Sequence, residues 1–224
     1  MTTKIIAIDG PAGSGKSSVS KQVARELGFG YLDTGAAYRA LAWACLNLDD
    51  FSFDQLSELN LEDAFDYKIS TDPDNFWVKV GDVNVTAAIR EPQVAEFVSQ
   101  VARIPEVRTF MKNLTHRLVA QSGKAAVVVE GRDITTVVYP EAQSRILLTA
   151  SEEVRLARRS KELTGTNNLH AQVSKRDEKD SKVVNFTEAA PGVTLIDSSD
   201  LDFAQTVQVM SEQVKHDLKA AHVD

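Results

Sequence analysis

The sequence predicts an α/β fold in which a five-stranded parallel sheet carries helices on both faces. Two patterns lead to this expectation. Short apolar runs alternate with segments of helical periodicity along most of the 224 residues, an order that is typical of βα units. The run AAVVVE at residues 125–130 is continuously apolar up to Val129, as central strands of a parallel sheet are because both of their faces are buried.

Five segments have the composition of buried strands. They are short and apolar, and they cover residues 4–9, 29–32, 125–130, 145–149 and 193–197. Ligands of parallel sheets bind at the carboxyl ends of the strands. The polar residues that follow each strand are therefore the first candidates for function.

Helical periodicity fills the stretches between the strands. Gly28 stands where a helix usually ends, and Pro92 and Pro105 suit the first-turn position that proline favours in helices. The predicted helices cover residues 17–27, 36–48, 92–101, 105–118, 151–163 and 203–218.

A glycine-rich loop follows the first strand. Gly10 to Ser17, GPAGSGKS, matches the P-loop pattern G-x-x-x-x-G-K-[ST] at every fixed position. Lys16 is expected to reach the β- and γ-phosphates of a nucleoside triphosphate, and the Ser17 hydroxyl to join a Mg²⁺ shell. The alternative, a glycine-rich turn that matches by chance, is disfavoured by the strand before and the helix after. The sequence therefore predicts a three-layer P-loop NTPase fold.

A change of period marks an insertion. Apolar and polar residues alternate from Phe65 to Ile69, and two more short strand-like segments, 76–80 and 83–85, follow across turn signals. We expect a small antiparallel β insert in a subdomain at residues 49–104, within a core formed by residues 1–48 and 105–224.

Composition argues against several classes of function. The net charge of −7 disfavours nucleic-acid binding, and the single cysteine, Cys45, rules out disulfides and cysteine metal sites within the chain. No apolar run approaches the length of a membrane span, and no signal-peptide pattern begins the sequence. We therefore expect a cytoplasmic protein without membrane or nucleic-acid partners.

Three arginines, Arg39, Arg108 and Arg132, are candidates for a second anion site. The arginine fork pairs with two phosphate oxygens at once. A solvated surface position is the alternative for each, but Arg132 directly follows a buried strand, which favours a functional role. An acceptor phosphate is already ionised at neutral pH, so this site needs no catalytic base.

A second group of charges predicts a lid over the triphosphate. Basic residues recur from Arg155 to Lys182, and the polar stretch at 164–168 would provide a flexible neck. We expect a helical lid at about residues 158–185 whose arginines cover the γ-phosphate and exclude water. The alternative is an ordinary mixed-charge helical face.

Several segments together resemble the signature segments of bacterial-type cytidylate kinases, the P-loop kinases of CMP and dCMP. In order, they are GPAGSGKSS, LDTGAAYRA, SQVARIPEVR, VVVEGRDITTVVYPEA and KRDEKDSK. The resemblance spans nearly the whole chain and includes the β insert, which is similar to that family's monophosphate-binding subdomain. It implies a monomeric enzyme of pyrimidine nucleotide metabolism that transfers a phosphoryl group from ATP to CMP or dCMP with Mg²⁺.

The resemblance also implies roles for individual residues. The residues that would bind ATP are Gly10, Pro11, Ala12, Gly13, Ser14, Gly15, Lys16, Ser17 and Ser18. The residues that would act on the transferred phosphate are Lys16, Arg132, Arg158 and Arg176. The residues that would bind CMP are Thr34, Tyr38, Arg39, Arg108, Arg132, Asp133, Arg176 and Asp180.

Two positions depart from the family pattern. Thr135 stands where the family has glycine, which implies that a positive φ is not required there or is tolerated under strain. Val183 stands where the family's lid motif has arginine, and the neighbouring Lys182 lacks the bidentate fork. The second departure predicts a weaker hold on substrate or an altered specificity.

Two other functions share the phosphate loop. A kinase of another small acceptor would need a positioned carboxylate base if that acceptor were a hydroxyl, and Asp33 is the candidate for that base. A nucleotide-hydrolysing switch would turn over without a small acceptor, and the sequence lacks the N-K-x-D segment of guanine-specific switches. Dependence of ADP formation on CMP distinguishes the three functions.

Overall fold

The computed structural model describes residues 3–162 and 188–221, which form two compact units. The first unit contains the described residues up to Leu32 and from Gly123 onward, and the second unit runs from Asp33 to Ser122. The second unit is wider than the predicted insert at 49–104, and that narrower division stays a prediction. Of the predicted lid, residues 158–162 belong to a helix and the rest lies outside the described residues.

The described strands fall into one parallel and one antiparallel sheet. They are β1 (Lys4–Asp9), β2 (Gly30–Asp33), β3 (Tyr67–Ile69), β4 (Val78–Val80), β5 (Val83–Asn84), β6 (Ala126–Gly131), β7 (Ser144–Thr149) and β8 (Thr194–Asp197). The larger sheet has the order β2-β6-β1-β7-β8. Its strand β1 pairs in parallel with β6 and β7, and β7 pairs in parallel with β8. The predicted five-stranded parallel sheet is confirmed.

Eight α-helices are described. They are α1 (Lys16–Leu27), α2 (Thr34–Leu46), α3 (Phe53–Glu58), α4 (Leu61–Ala64), α5 (Pro92–Val101), α6 (Pro105–Gln121), α7 (Glu152–Glu162) and α8 (Phe203–Ala220). Helix α2 begins two residues before its predicted start, because the Asp33 side chain caps it by accepting a hydrogen bond from the Ala36 N–H at 2.9 Å. None of the described helices combines the length and the hydropathy that crossing a bilayer requires.

The core of the first unit lies between the parallel sheet and two helices. Ile6 and Ile8 of β1 are fully buried, as expected for a central strand. Helix α1 packs against β1, β6 and α8, and α8 also packs against β7. Val23 of α1 and Met210 of α8 are among the fully buried residues that these two helices contribute. This packing fixes the start of α1 at the carboxyl end of β1.

The second unit combines helices with the small antiparallel sheet. Its strand order is β3-β4-β5, so the predicted β insert is confirmed, with shorter strands than the sequence suggested. Helix α2 packs against α5, α6 and β4. Val78, Ile89 and Val94 are fully buried in this unit, which gives it a hydrophobic core of its own.

Candidate nucleotide-binding site

The phosphate loop connects β1 to α1 and needs glycine for its shape. Gly13 and Gly15 have φ values of +77° and +84°, a left-handed conformation that residues with a Cβ atom rarely adopt. A Cβ atom at Gly13 would also lie 2.5 Å from the carbonyl oxygen of Arg155. The first N–H groups of α1 have no partner within the helix and carry partial positive charge, so they can bind phosphate oxygens.

Three arginines hold alternate carbonyl groups of the phosphate loop. Arg132 donates from Nη1 to the Gly10 carbonyl at 2.8 Å. Arg155 donates to the Ala12 carbonyl at 3.1 Å, and Arg158 to the Ser14 carbonyl at 3.2 Å. Arg155 and Arg158 lie on one face of α7 because they are three residues apart. The sequence analysis did not assign a role to Arg155; its signal is this spacing from Arg158.

Arg158 also connects the phosphate loop to the segment that follows β8. Its Nη1 donates to the Ser198 hydroxyl at 2.9 Å, and its Nη2 donates to the Ser198 and Leu201 carbonyls at 2.7 and 3.1 Å. Together with the bond to Ser14, these contacts involve both terminal nitrogens of the guanidinium. Its expected action on the transferred phosphate stays a prediction.

A buried carboxylate lies beside the phosphate-loop lysine. Glu130 of β6 is 2% exposed, and its Oε2 is 4.0 Å from Lys16 Nζ. Its Oε1 accepts a hydrogen bond from the Tyr31 hydroxyl at 2.9 Å. The sequence analysis did not single out Glu130 by number. The available signal was an acidic residue at the end of an otherwise apolar strand, which is rarely buried without a specific role.

The last residue of β1 contacts the loop that carries Arg132. Asp9 Oδ1 accepts a hydrogen bond from the Ile134 N–H at 2.8 Å. Its Oδ2 accepts from the Thr135 N–H at 2.8 Å and from the Thr135 hydroxyl at 2.6 Å. Burial raises the pKa of Asp9, the hydrogen bonds from Thr135 and Ile134 oppose that rise, and the charge of Asp133 adds to it. This carboxylate was also missed from the sequence.

Thr135 lies in a single π-helical turn, Ile134–Val138, directly after Asp133. The Asp133 carbonyl accepts from the N–H groups of Val137 and Val138, which closes the turn. Such turns are rare and are frequent at functional sites. A right-handed turn of this kind accommodates a β-branched residue without a positive φ, in agreement with the first implication drawn from the threonine at this position.

The predicted CMP-binding residues of the second unit cluster at the start of α2 and in α6. Thr34 is the first residue of α2, and Tyr38 and Arg39 lie one turn later. The Arg39 guanidinium is 2.7 Å from Asp33 Oδ2 in a largely buried ion pair. Arg108 is half-buried near the start of α6.

The structure groups the predicted site residues by unit. In the first unit it brings together the phosphate loop, Arg132, Asp133 and Arg158. The residues of the second unit are Thr34, Tyr38, Arg39 and Arg108. Arg176 and Asp180, together with the departure at Val183, lie outside the described residues.

Comparison with known proteins gives consistent matches. The family model described as Cytidylate kinase matches residues 6–216. The chain is 42% identical to a cytidylate kinase of Streptomyces avermitilis over 208 residues, which are 91% of this chain and 89% of the relative. It is 39% identical to a cytidylate kinase of Streptococcus mutans, with 94% and 96% covered.

One solved structure supports the fold. The chain resembles a gluconokinase of Sinorhizobium meliloti with a TM-score of 0.50 and 13% identity, covering 99% of this chain and 96% of the other. At that identity the likeness concerns the fold alone.

Proposed function

The chain belongs to the cytidylate kinase family, and from that premise we propose how its residues transfer a phosphoryl group from ATP to CMP or dCMP. The observation that carries the proposal is the hydrogen bond between Arg132 and the Gly10 carbonyl. It connects the loop expected to hold the acceptor directly to the loop expected to hold the donor. Transfer between two phosphates depends chiefly on alignment and charge neutralisation.

The phosphate loop binds the donor. Main-chain N–H groups at the start of α1 hold the β- and γ-phosphates of ATP, and Arg155 and Arg158 keep the loop in shape from its carbonyl groups. Lys16 leaves the neighbourhood of Glu130 to neutralise charge that develops between the two nucleotides.

The oxygen donors near Lys16 fit Mg²⁺. Ser17 is an exposed hydroxyl at the start of α1, and Glu130 supplies a carboxylate beside the same lysine. Mg²⁺ prefers one or two protein oxygens together with substrate phosphates and water. Ser17 and Glu130 would hold the ion, which when bound neutralises phosphate charge and aligns the donor. Tyr31 orients Glu130 through its hydrogen bond.

Arginines bind the acceptor. Arg132 holds the CMP phosphate, because an arginine fork matches phosphate oxygens. The family resemblance assigns Arg39 and Arg108 to CMP as well, and that assignment stays a prediction. Arg39 has to exchange the Asp33 carboxylate for the phosphate. The assignments of Thr34, Tyr38 and Asp133 to CMP stay predictions, as do those of Arg176 and Asp180, which lie outside the described residues. No general base is needed because the acceptor phosphate is ionised.

The acceptor panel is the direct test. ADP formation from ATP and Mg²⁺ is measured with CMP, dCMP, UMP, AMP or GMP, and without an acceptor. We expect ADP formation to depend on CMP or dCMP. Equal release of ADP in every reaction would mean that water is the acceptor and would replace the proposal by a hydrolase. The cytoplasmic location and the monomeric state belong to the same proposal; size-exclusion chromatography with light scattering tests the second.

A further inference from the structure

Asp9 lies where β1, the phosphate loop and the loop after β6 meet. It is the last residue of β1, and the phosphate loop begins at the next residue. Its two oxygens accept three hydrogen bonds, from the Ile134 N–H, the Thr135 N–H and the Thr135 hydroxyl. Arg132 of the same loop returns a bond to the Gly10 carbonyl. The loop after β6 is thus attached to the start of the phosphate loop at two successive residues.

The hydroxyl of Thr135 is the one side-chain donor in this set. At 2.6 Å, its bond to Asp9 is the shortest of the three, and Thr135 is 3% exposed. Hydrogen bonds to a carboxylate are roughly twice as strong as those between neutral groups. The two main-chain donors are present whatever residue occupies position 135, whereas the third depends on a hydroxyl there.

We propose that the Thr135 hydroxyl is a positioning group, which holds Asp9 and thereby fixes Arg132 relative to the phosphate loop. The proposal rests on the function given above. Acting through Asp9, Thr135 sets the alignment of the acceptor phosphate with the donor rather than the affinity for either. Loss of the hydroxyl is therefore expected to lower kcat more than it raises KM.

A purely structural threonine would have a different signature. Its loss would change stability and leave kcat and the acid limb of kcat/KM unchanged. The three hydrogen bonds to Asp9 need its carboxyl group to be ionised, since all three partners are donors. Removing one donor makes the charged form less favourable, so the pKa of Asp9, which burial already raises, rises further. The acid limb of kcat/KM then moves to higher pH.

Other charged groups near Asp9 are common to the variants. Asp133 raises the pKa of Asp9 through its charge. The elements packed against β1 also carry Lys16, Glu130, Arg132 and Arg145. All of these, and the ionisation of the CMP phosphate itself near pH 6, contribute equally to wild type and variant. A difference in the acid limb therefore reports Asp9.

The test compares Thr135→Val, which keeps the shape and removes the hydroxyl, with Thr135→Ser, which keeps the hydroxyl. We expect Thr135→Val to lower kcat about tenfold while each KM changes by less than about threefold. The acid limb should move to higher pH. Thr135→Ser should stay within about threefold of wild type. Thr206→Val is the matched control, because it removes a buried hydroxyl of the same unit that donates to the Asp202 carbonyl.

Two additional measurements keep the test decisive. If Thr135→Val does not fold, Thr135→Ala carries the same expectations. A double-mutant cycle with Asp9→Asn should be non-additive, because both changes break one interaction. Titration of the Asp9 carboxyl by ¹³C NMR requires no substrate. It therefore tests the hydrogen bond between Thr135 and Asp9 even if the proposed function is wrong. Unchanged kcat and acid limb in Thr135→Val, additive effects in the cycle, or an equal loss in Thr135→Ser would overturn the proposal.

Discussion

The arginines of the two units are held in different ways. In the first unit, Arg132, Arg155 and Arg158 donate to main-chain carbonyls of the phosphate loop. In the second unit, Arg39 donates to the carboxylate of Asp33. A carbonyl oxygen is a neutral partner, so such a contact shapes the backbone and leaves the arginine charged. A carboxylate carries the opposite charge, so the pair that it forms with an arginine has no net charge.

This difference separates two tasks that arginine performs at phosphate sites. Carbonyl-bound arginines build the loop before any ligand arrives, which is preorganisation. A carboxylate-bound arginine is stored in position and becomes available when a more highly charged anion replaces its partner. We therefore expect substitutions in the first group to disturb the donor site or the alignment, and substitutions in the second to disturb acceptor binding.

The largest effect is expected from Arg132, which we place in both tasks. Arg132→Ala removes the bond to the Gly10 carbonyl and the grip on the acceptor phosphate. We expect kcat/KM for CMP to fall by at least about 10²-fold. Steady-state kinetics with varied CMP at saturating ATP measures the effect.

Arg132→Lys is the control for charge. Lysine keeps the positive charge and loses the bidentate fork, so its activity should lie between wild type and Arg132→Ala. Kinetics like those of wild type in Arg132→Ala would remove Arg132 from the site and leave only its contact with the phosphate loop.

The elements that the sequence revealed are those with a local signal. The strand β6 begins with a continuous apolar run, and the glycines at 10 and 15 mark the phosphate loop by their spacing. Each of these features is contained within about ten residues, so the period of the pattern or a fixed motif is enough to predict it.

The partners of the charged residues could not be predicted in this way. Asp9 bonds Thr135, which lies 126 residues away in sequence, and Glu130 bonds Tyr31 across 99 residues. Such pairs are set by the strand order, which periodicity does not contain. Position 135 was considered for its backbone conformation, whereas the decisive feature is its hydroxyl group.

A smaller effect is expected from a comparison of Arg158 with Arg39. Arg158→Ala loosens the Ser14 carbonyl and the segment after β8, so the KM for ATP should rise about tenfold and the KM for CMP should change little. Arg39→Ala should show the reverse pattern. Arg25→Ala, at an exposed position of α1, is the control and should change neither. A rise of the same KM in both Arg158→Ala and Arg39→Ala would contradict the assignment of one arginine to the donor site and the other to acceptor binding.

The smallest effects concern two buried tyrosines, one in each unit. The Tyr31 hydroxyl donates to Glu130, whereas the Tyr67 hydroxyl is buried and has no hydrogen-bond partner among the described residues. Burial raises the pKa of Tyr67 well above its ordinary value, so this hydroxyl stays neutral.

Tyr31→Phe leaves a buried carboxylate oxygen without its donor and should lower the free energy of unfolding by about 1 to 2 kcal/mol. Tyr67→Phe removes a desolvated group that bonds nothing and should raise it by roughly 0.5 to 1 kcal/mol. Urea unfolding of both variants measures the change in the free energy of unfolding. The two changes should have opposite signs although a tyrosine hydroxyl is removed in each variant. Equal destabilisation would mean that the Tyr67 hydroxyl bonds a group of its own.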